Sequence, residues 1–445
     1  MKARFWGTRG SIATPGAGTV RFGGNTSCVE MTTDKGDCFI FDCGTGAHPL
    51  GQALMARNPP PTSITILLSH THWDHIQGFP FFAPVFVPGI KITVCGPEGG
   101  ARSLRDVLAG QMEFSYFPLE LGQLPATLTF RELGEGTHEI AGAQVVAQYL
   151  NHPAVTLGYR VQADDAAIVY ACDHEPFSET SWHGDPPPSD IESIVHDGDR
   201  RHARFMAGAG LVIHDSQYTP EEYPSRKNWG HSTYEYAVGL AAAAGVGQLA
   251  LTHHDPLHND GAVAQMETRA RAFALKVGNP LKVCCAYEGL ELEAQSHSIR
   301  DLIALPVTPP QERDAIRGSR ILIVDDDPDI RALANHALTQ DGHVVIEAAS
   351  GKEALALIDA QPPDLLLLDL LMPVQGGLEV LKILRSNKTT ESLPVVVLTA
   401  MDDDVNLKAG FDVGASDYLT KPFSVPQLAA RVRACLTRTL AGHPS

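Results

Sequence analysis

At 445 residues, with 44% hydrophobic and 19% charged side chains, the chain is too long for one ordinary domain and too apolar for wholesale disorder. Its net charge of −18, from 34 basic and 52 acidic residues, opposes non-specific binding to long nucleic acids but not a small anion in a metal-lined pocket. No apolar run approaches the ~20 residues of a membrane helix, and Met1-Lys2-Ala3-Arg4-Phe5-Trp6-Gly7 lacks the apolar stretch of a secretory signal, so a cytoplasmic location with no membrane partner is expected.

In chain order, Cys28 to Thr33 and Cys38 to Asp42 flank Asp34-Lys35-Gly36 as a predicted hairpin. The run Ile64 to Ser69 is a predicted buried strand that delivers into His70-Thr71-His72-Trp73-Asp74-His75. His152 follows Ala147-Gln-Tyr-Leu-Asn151, and the strand Ala167 to Cys172 ends at Asp173. Gly184 to Asp190 is Pro-rich and reads as a surface loop. A helix over Ser232 to Ala244 precedes the strand Gln248 to Thr252, which stops at His253. Strands mixed with helices, with polar residues at strand ends, predict an α/β layered fold with a site at its rim.

Between Ser298 and Ser319 the character changes. Leu305 to Asp314 holds three prolines and reads as a linker, and 16 of the 19 histidines precede residue 300. The expected units are therefore 1–298, a linker 299–318, and 319–441. The last alternates strand and helix: strands at Arg320–Val324, Val344–Ala348, Leu365–Leu368, Val395–Thr399 and Ser416–Leu419, with helices such as Ile330–Gln340 and Gly351–Gln361, in the order of a doubly wound parallel sheet. The eight cysteines form no CxxC pair, so they read as buried reduced thiols.

Four potential ligands within His70 to His75, directly after a strand, can aim two imidazoles at one cation and Asp74 with His75 at another; zinc suits them, as do manganese and iron. Further ligands are available where other strands stop: His152, Asp173, whose carboxylate can bridge two cations, and one of His253, His254 and His258. His253 is preferred because it comes first off the strand.

This pattern resembles the metallo-β-lactamase superfamily over about residues 1–295. The resemblance implies an αββα sandwich, one metal on His70, His72 and His152, a second on Asp74, His75 and His253, and Asp173 between them. Phe41-Asp42-Cys43-Gly44-Thr45-Gly46 resembles the family's first motif, which gives Asp42 the role of supporting the metal loop. Gly7-Thr8-Arg9-Gly10-Ser11, Gly23-Gly24-Asn25-Thr26-Ser27-Cys28, and Gly230-His231-Ser232-Thr233 after His214-Asp215-Ser216 are similar to phosphodiesterase members, including transfer-RNA 3′-processing nucleases. Carried over, His231 contacts the phosphate or protonates the leaving oxygen and Asp215 orients it. The upstream element reads His-Asp-Ser-Gln here, against His-Glu-Ala-Thr in the nucleases. Only twenty residues separate His152 from Asp173, which leaves no room for a tRNA-gripping arm. The expected substrate is a small or cyclic phosphodiester such as a cyclic nucleotide. Asp74 or Asp173 is a candidate proton acceptor. A thioesterase or lactonase, or a non-enzymatic module whose metal domain binds a ligand, are the alternatives.

In the second part, Asp325-Asp326-Asp327 and Asp369 lie at strand ends, where clustered carboxylates suit Mg²⁺, with Thr399 and Lys421 at later strand ends. The segment resembles a response-regulator receiver domain over about residues 318–440. The resemblance implies Asp369 as phospho-acceptor, Mg²⁺ on Asp325, Asp326, Asp369 and the Leu371 carbonyl, Thr399 and Lys421 on the phosphoryl group, and Tyr418 as the switch. Gln375-Gly376-Gly377 departs from the family, which usually has an Asp before the second Gly. A sensor histidine kinase or phosphotransfer protein is the implied partner. A homodimer is a candidate assembly.

Overall fold

A computed structural model describes residues 1–98, 102–177, 188–276, 281–294, 318–373, 376–400, 413–421, 423, 428–429, 431–432 and 435–436. The chain divides into two compact units, with the division near residue 307. The predicted linker up to residue 317, most of the Pro-rich loop after Gly184, and Gln375 lie outside the described residues.

The first unit holds two seven-stranded sheets. One contains β1 (Lys2–Gly7), β2 (Cys28–Thr32), β3 (Cys38–Phe41), β4 (Ser63–Leu67), β5 (Lys91–Pro97) and β6 (Thr127–Leu133). The other contains β7 (Gly136–Ile140), β8 (Ala143–Tyr149), β9 (Leu157–Ala163), β10 (Ala166–Ala171), β11 (Leu211–Asp215), β12 (Gln248–Thr252) and β13 (Lys282–Cys285), while β14 (Glu291–Glu293) returns to the first. Their orders are β14-β1-β2-β3-β4-β5-β6 and β13-β12-β11-β10-β9-β8-β7. Ala3, Phe5, Met31 and Phe41 of the first sheet join Val145, Tyr159, Ile168 and Ile213 of the second in one apolar layer. The outer faces are covered by helices, Ala47–Met55 and Leu104–Gly110 on the first sheet and Asp197–Met206, Tyr234–Ala243 and Asp260–Lys276 on the second. This is an αββα sandwich. Strand β10, Ala-Ala-Ile-Val-Tyr-Ala, is buried along its whole length because it is covered on both faces, which is why it reads as a continuous apolar run.

Strands β3 and β4 run parallel, as do β10, β11 and β12. Their carboxyl ends deliver Asp42, the His70 loop, Asp173, Asp215 and His253, so parallel pairing gathers residues that are far apart in sequence. The predicted hairpin is β2–β3, antiparallel, and the twenty residues between His152 and Asp173 are filled by the antiparallel pair β9–β10. The helix expected from Ser232 begins instead at Tyr234. Thr233 caps it, its hydroxyl accepting the Tyr236 amide, because the Ser232 amide and hydroxyl are already engaged by Asp215 and the His174 carbonyl.

The second unit is a five-stranded parallel sheet of β15 (Arg320–Val324), β16 (Val344–Ala348), β17 (Leu365–Asp369), β18 (Val395–Ala400) and β19 (Asp417–Lys421), in the order β16-β15-β17-β18-β19. Apolar clusters lie on both faces. The order reverses between β15 and β17, and the acidic residues stand at that crevice. No helix among the described residues is long and apolar enough to cross a membrane.

Candidate metal centre

The His-rich segment leaves β4 as a loop and becomes the short helix Trp73–Ile76, which carries Asp74 and His75. Behind it, the fully buried Asp42 accepts the Ser69 amide at 2.7 Å, the Tyr170 hydroxyl at 2.6 Å and His75 Nδ1–H at 2.7 Å. A carboxylate can only accept, so the His75 proton sits on Nδ1 and its Nε2 lone pair faces the cluster. His152 is fixed the same way, Nδ1 donating to the Gly230 carbonyl at 3.0 Å, and His253 donates from Nδ1 to Gln217 Oε1 at 2.9 Å. Two glycines make these approaches possible. A Cβ at Gly230 would sit 2.1 Å from His152 Nδ1, and one at Gly10 would sit 2.5 Å from the His253 ring.

The inward atoms form two groups that share Asp173. Its Oδ2 lies 3.6 Å from His70 Nε2 and 3.7 Å from His152 Nε2, and His152 Nε2 is 3.3 Å from His72 Nδ1. Its Oδ1 lies 3.2 Å from His75 Nε2 and 3.1 Å from His253 Nε2, and both of these imidazoles are 3.2 Å from Asp74 Oδ2. The chain thus brings together His70, His72, His152, Asp173, Asp74, His75 and His253. His254 and His258 are turned elsewhere, His254 to the Ala286 carbonyl and His258 to Glu222.

Charge shows what this cluster can hold. Burial alone would raise the Asp74 carboxyl, but His75 and His253 outweigh it and hold it far below the usual range; in Asp173, burial is outweighed by His253, His75 and His70. Burial lowers His70 and takes His152 down to about 3, and the partial burial of His72, whose outer side reaches solvent, lowers it too, so these imidazoles are neutral and free to donate lone pairs. In His75, Asp74, Asp173 and Asp42 overcome burial and raise the pKa; anions that favour a proton there also favour a cation in its place. Among the described residues, the ion pairs of Asp74 and Asp173 are all with histidines. His70 Nε2, His75 Nε2 and Asp173 Oδ1 are buried without a hydrogen-bond partner. Orphaned inward donors around buried carboxylates fit divalent cations.

His231 stands beside this cluster, its ring stacked on His253 with centroids 4.9 Å apart. Its Nδ1 donates to Asp215 Oδ2 at 2.7 Å. Burial opposes its charge, but Asp215 more than compensates and raises its pKa to about 9. It does not cap the following helix.

Several participants were not singled out from the sequence. Ser11, whose amide donates to Asp74 at 2.8 Å, and Gln217 sit inside the quoted motifs, where their chemistry gave no sign of it. Tyr170 and Ser69, which satisfy Asp42, look like ordinary strand residues.

In the second unit, Asp325, Asp326 and Asp369 converge closely enough to share an ion. Lys421 Nζ lies 2.6 Å from Asp325 and 2.7 Å from Asp369, and Thr399 is buried at the end of β18. Burial raises Asp325, against the opposing pull of Lys421. The Leu371 amide donates to Asp369 at 3.0 Å. Asp327 caps the helix Pro328–Gln340. Tyr418 lies in β19, and its side chain is outside the described residues.

Residues 38–254 match the family model described as the beta-lactamase superfamily domain, and residues 321–433 match the response regulator receiver domain. The response regulator MprA of Mycolicibacterium vanbaalenii is 48% identical over 120 residues, 27% of this chain and 51% of that protein. The alkaline phosphatase synthesis transcriptional regulatory protein PhoP of Bacillus subtilis is 41% identical over 128 residues, 29% of this chain and 52% of that protein. The chain spans about half the length of the curated relatives it matches. Among solved structures, the short form of human tRNase Z aligns with 66% of this chain and 100% of its own at 21% identity and a TM-score of 0.44. A diphosphatase from the PhnP family aligns with 66% of this chain and 98% of its own at 17% identity and a TM-score of 0.44.

Proposed function

From a chain that joins a beta-lactamase superfamily domain to a response regulator receiver domain, we infer a metal-dependent phosphodiesterase whose activity is set by aspartyl phosphorylation in a two-component pathway. The substrate class is a small or cyclic phosphodiester. The observation that carries the reading is the Asp215–His231 pair stacked against the ligand cluster, a proton donor next to a cation site.

His70, His72, His152 and Asp173 Oδ2 would hold one cation, and Asp74, His75, His253 and Asp173 Oδ1 the other. Divalent cations bound there, zinc, manganese or iron, supply Lewis acidity toward a phosphoryl oxygen and bring the pKa of water near neutrality. Asp42, Gln217 and the Gly230 carbonyl keep protons on the outer nitrogens of His75, His253 and His152. Asp74 or Asp173 accepts the proton of the attacking water, and His231, kept charged by Asp215, protonates the departing alkoxide. In the receiver, Asp369 accepts the phosphoryl group from a histidine kinase or phosphotransfer protein. Asp325 and Asp326, with Asp369 and the Leu371 carbonyl, would hold Mg²⁺, which would offset the charge of the incoming phosphoryl group; Thr399 and Lys421 would meet the phosphoryl oxygens, and Tyr418 would report the change.

Hydrolysis of bis(p-nitrophenyl)phosphate by the metal-loaded chain tests this, beside a thioester and a lactone. The expected result is phosphodiester turnover, abolished in Asp173→Ala and lowered about 10²–10⁴-fold in His231→Ala. Preference for the thioester or lactone, or full activity without His231, would contradict it.

A further inference from the structure

Two exposed tryptophans are sequence neighbours of residues at the ligand cluster. Trp73, between His72 and Asp74, is 76% exposed, and Trp229, just before Gly230-His231, is 55% exposed. Scattered apolar side chains on a surface need no explanation. These two are not scattered: His72 Nδ1 lies 3.3 Å from His152 Nε2, and His152 Nδ1 lies 3.0 Å from the Gly230 carbonyl, so the tryptophans adjoin the two ends of one short chain of site atoms. His72 is itself exposed there, so this edge of the cluster faces solvent.

The fold also holds the tryptophan backbones in place. Glu175, buried and two residues beyond Asp173, accepts the Asn228 amide at 2.7 Å on one oxygen and the Gly230 amide at 2.8 Å on the other, with the Tyr223 hydroxyl at 3.0 Å. One internal carboxylate therefore grips the turn on both sides of Trp229. Trp73 opens a helical turn closed by His75 N–H to the His72 carbonyl at 3.0 Å and Gln77 N–H to the Trp73 carbonyl at 2.8 Å. The Arg226 guanidinium lies 4.7 Å from the Trp229 ring centroid and has no carboxylate partner among the described residues, so a cation is laid on the aromatic surface with its charge unspent.

Exposed indoles on anchored backbone, beside a guanidinium with no carboxylate partner among the described residues, suit a flat, electron-rich group attached to an anion. A protein seated on both tryptophans would cover the exposed edge of the cluster, whereas a substrate's own base would lie beside its phosphate. We propose that Trp73, Trp229 and Arg226 form a nucleobase subsite, so that the substrate is a nucleotidyl phosphodiester. The proposal rests on the phosphodiesterase reading and narrows it. The chain's net charge of −18 disfavours a long polyanion and favours a small nucleotide.

The test is calorimetric binding of AMP against ribose 5-phosphate to the metal-loaded full chain, alongside turnover of methyl p-nitrophenyl phosphate, which has no base. AMP is expected to bind about tenfold or more tighter than ribose 5-phosphate, as base–aromatic stacking allows. Trp229→Ala and Trp73→Ala should each erase much of that preference, and Trp229→Phe and Trp73→Phe should keep most of it. Ribose 5-phosphate affinity in every variant reports whether the phosphate site is intact. Equal affinities in the wild type, or a preference that survives both alanine variants, overturns the subsite. Turnover of the methyl diester without base preference overturns this inference alone, whereas base preference without turnover of any phosphodiester supports the subsite and overturns the hydrolytic reading beneath it.

Discussion

Asp42, Asp173 and His253 each follow a strand directly or by one residue, and each adopts a left-handed backbone, with φ of 56°, 60° and 63°. Such conformations in non-glycine residues cost of order 1–3 kcal/mol each and persist only where the surroundings hold them. Here they turn side chains off strand ends toward one point. His231 depends on a single neighbour in the same way. Asp215 holds its charge against burial, and a general acid loses activity as pH rises through its pKa. Asp215→Asn lowers that pKa, so the alkaline limb of the kcat–pH profile should move to lower pH; an unmoved limb would contradict the assignment. The candidate ligands were legible because four fall within six positions and the others end apolar runs. Tyr170 was not, because its bond to Asp42 spans 128 positions and exists only once the two sheets pack.

At the scale of elements, apolar runs located five of the fourteen described strands of the first unit and all five of the second to within a residue or two, since burial leaves a continuous signal. The helix Asp197–Met206 left no such trace. Its sequence is charged, and its buried face includes Asp199 and His202. Asp199 is satisfied by the Tyr236 hydroxyl at 2.7 Å and the Phe177 amide at 2.9 Å. His202 meets His214, Nε2 to Nε2, at 2.9 Å, while His214 Nδ1 donates to the Asp215 carbonyl, so His202 must donate and His214 accept. A second proton would set two donors face to face, and burial lowers both pKa values. The sign follows: the unfolded chain takes up these protons first, so stability is full above about pH 6.5 and falls as pH drops through the depressed folded values. The thermal midpoint of the first unit should fall from pH 7.5 to pH 5, less steeply in His202→Asn, which can donate to His214 without titrating. Equal slopes would contradict this role.

For the whole molecule, the histidine distribution and the proline-rich stretch point to two units in the sequence, the chain divides into two compact units, and each holds a cluster of residues that could bind a cation. What passes between them was not legible, because motifs record local chemistry and coupling is a difference between two states. If the receiver governs the hydrolase, a small-molecule phosphodonor should change the rate of bis(p-nitrophenyl)phosphate hydrolysis in the wild type and leave Asp369→Ala unchanged; identical wild-type rates with and without the donor would refute the coupling. Beneath every functional statement lies the assignment of two neighbouring cations to one aspartate. Elemental analysis of the purified chain tests it most directly: about two transition-metal ions per chain are expected, falling to one or none in Asp173→Ala, whereas a wild-type chain that retains no such metal after saturation and dialysis, or a variant that retains as much as the wild type, would contradict it.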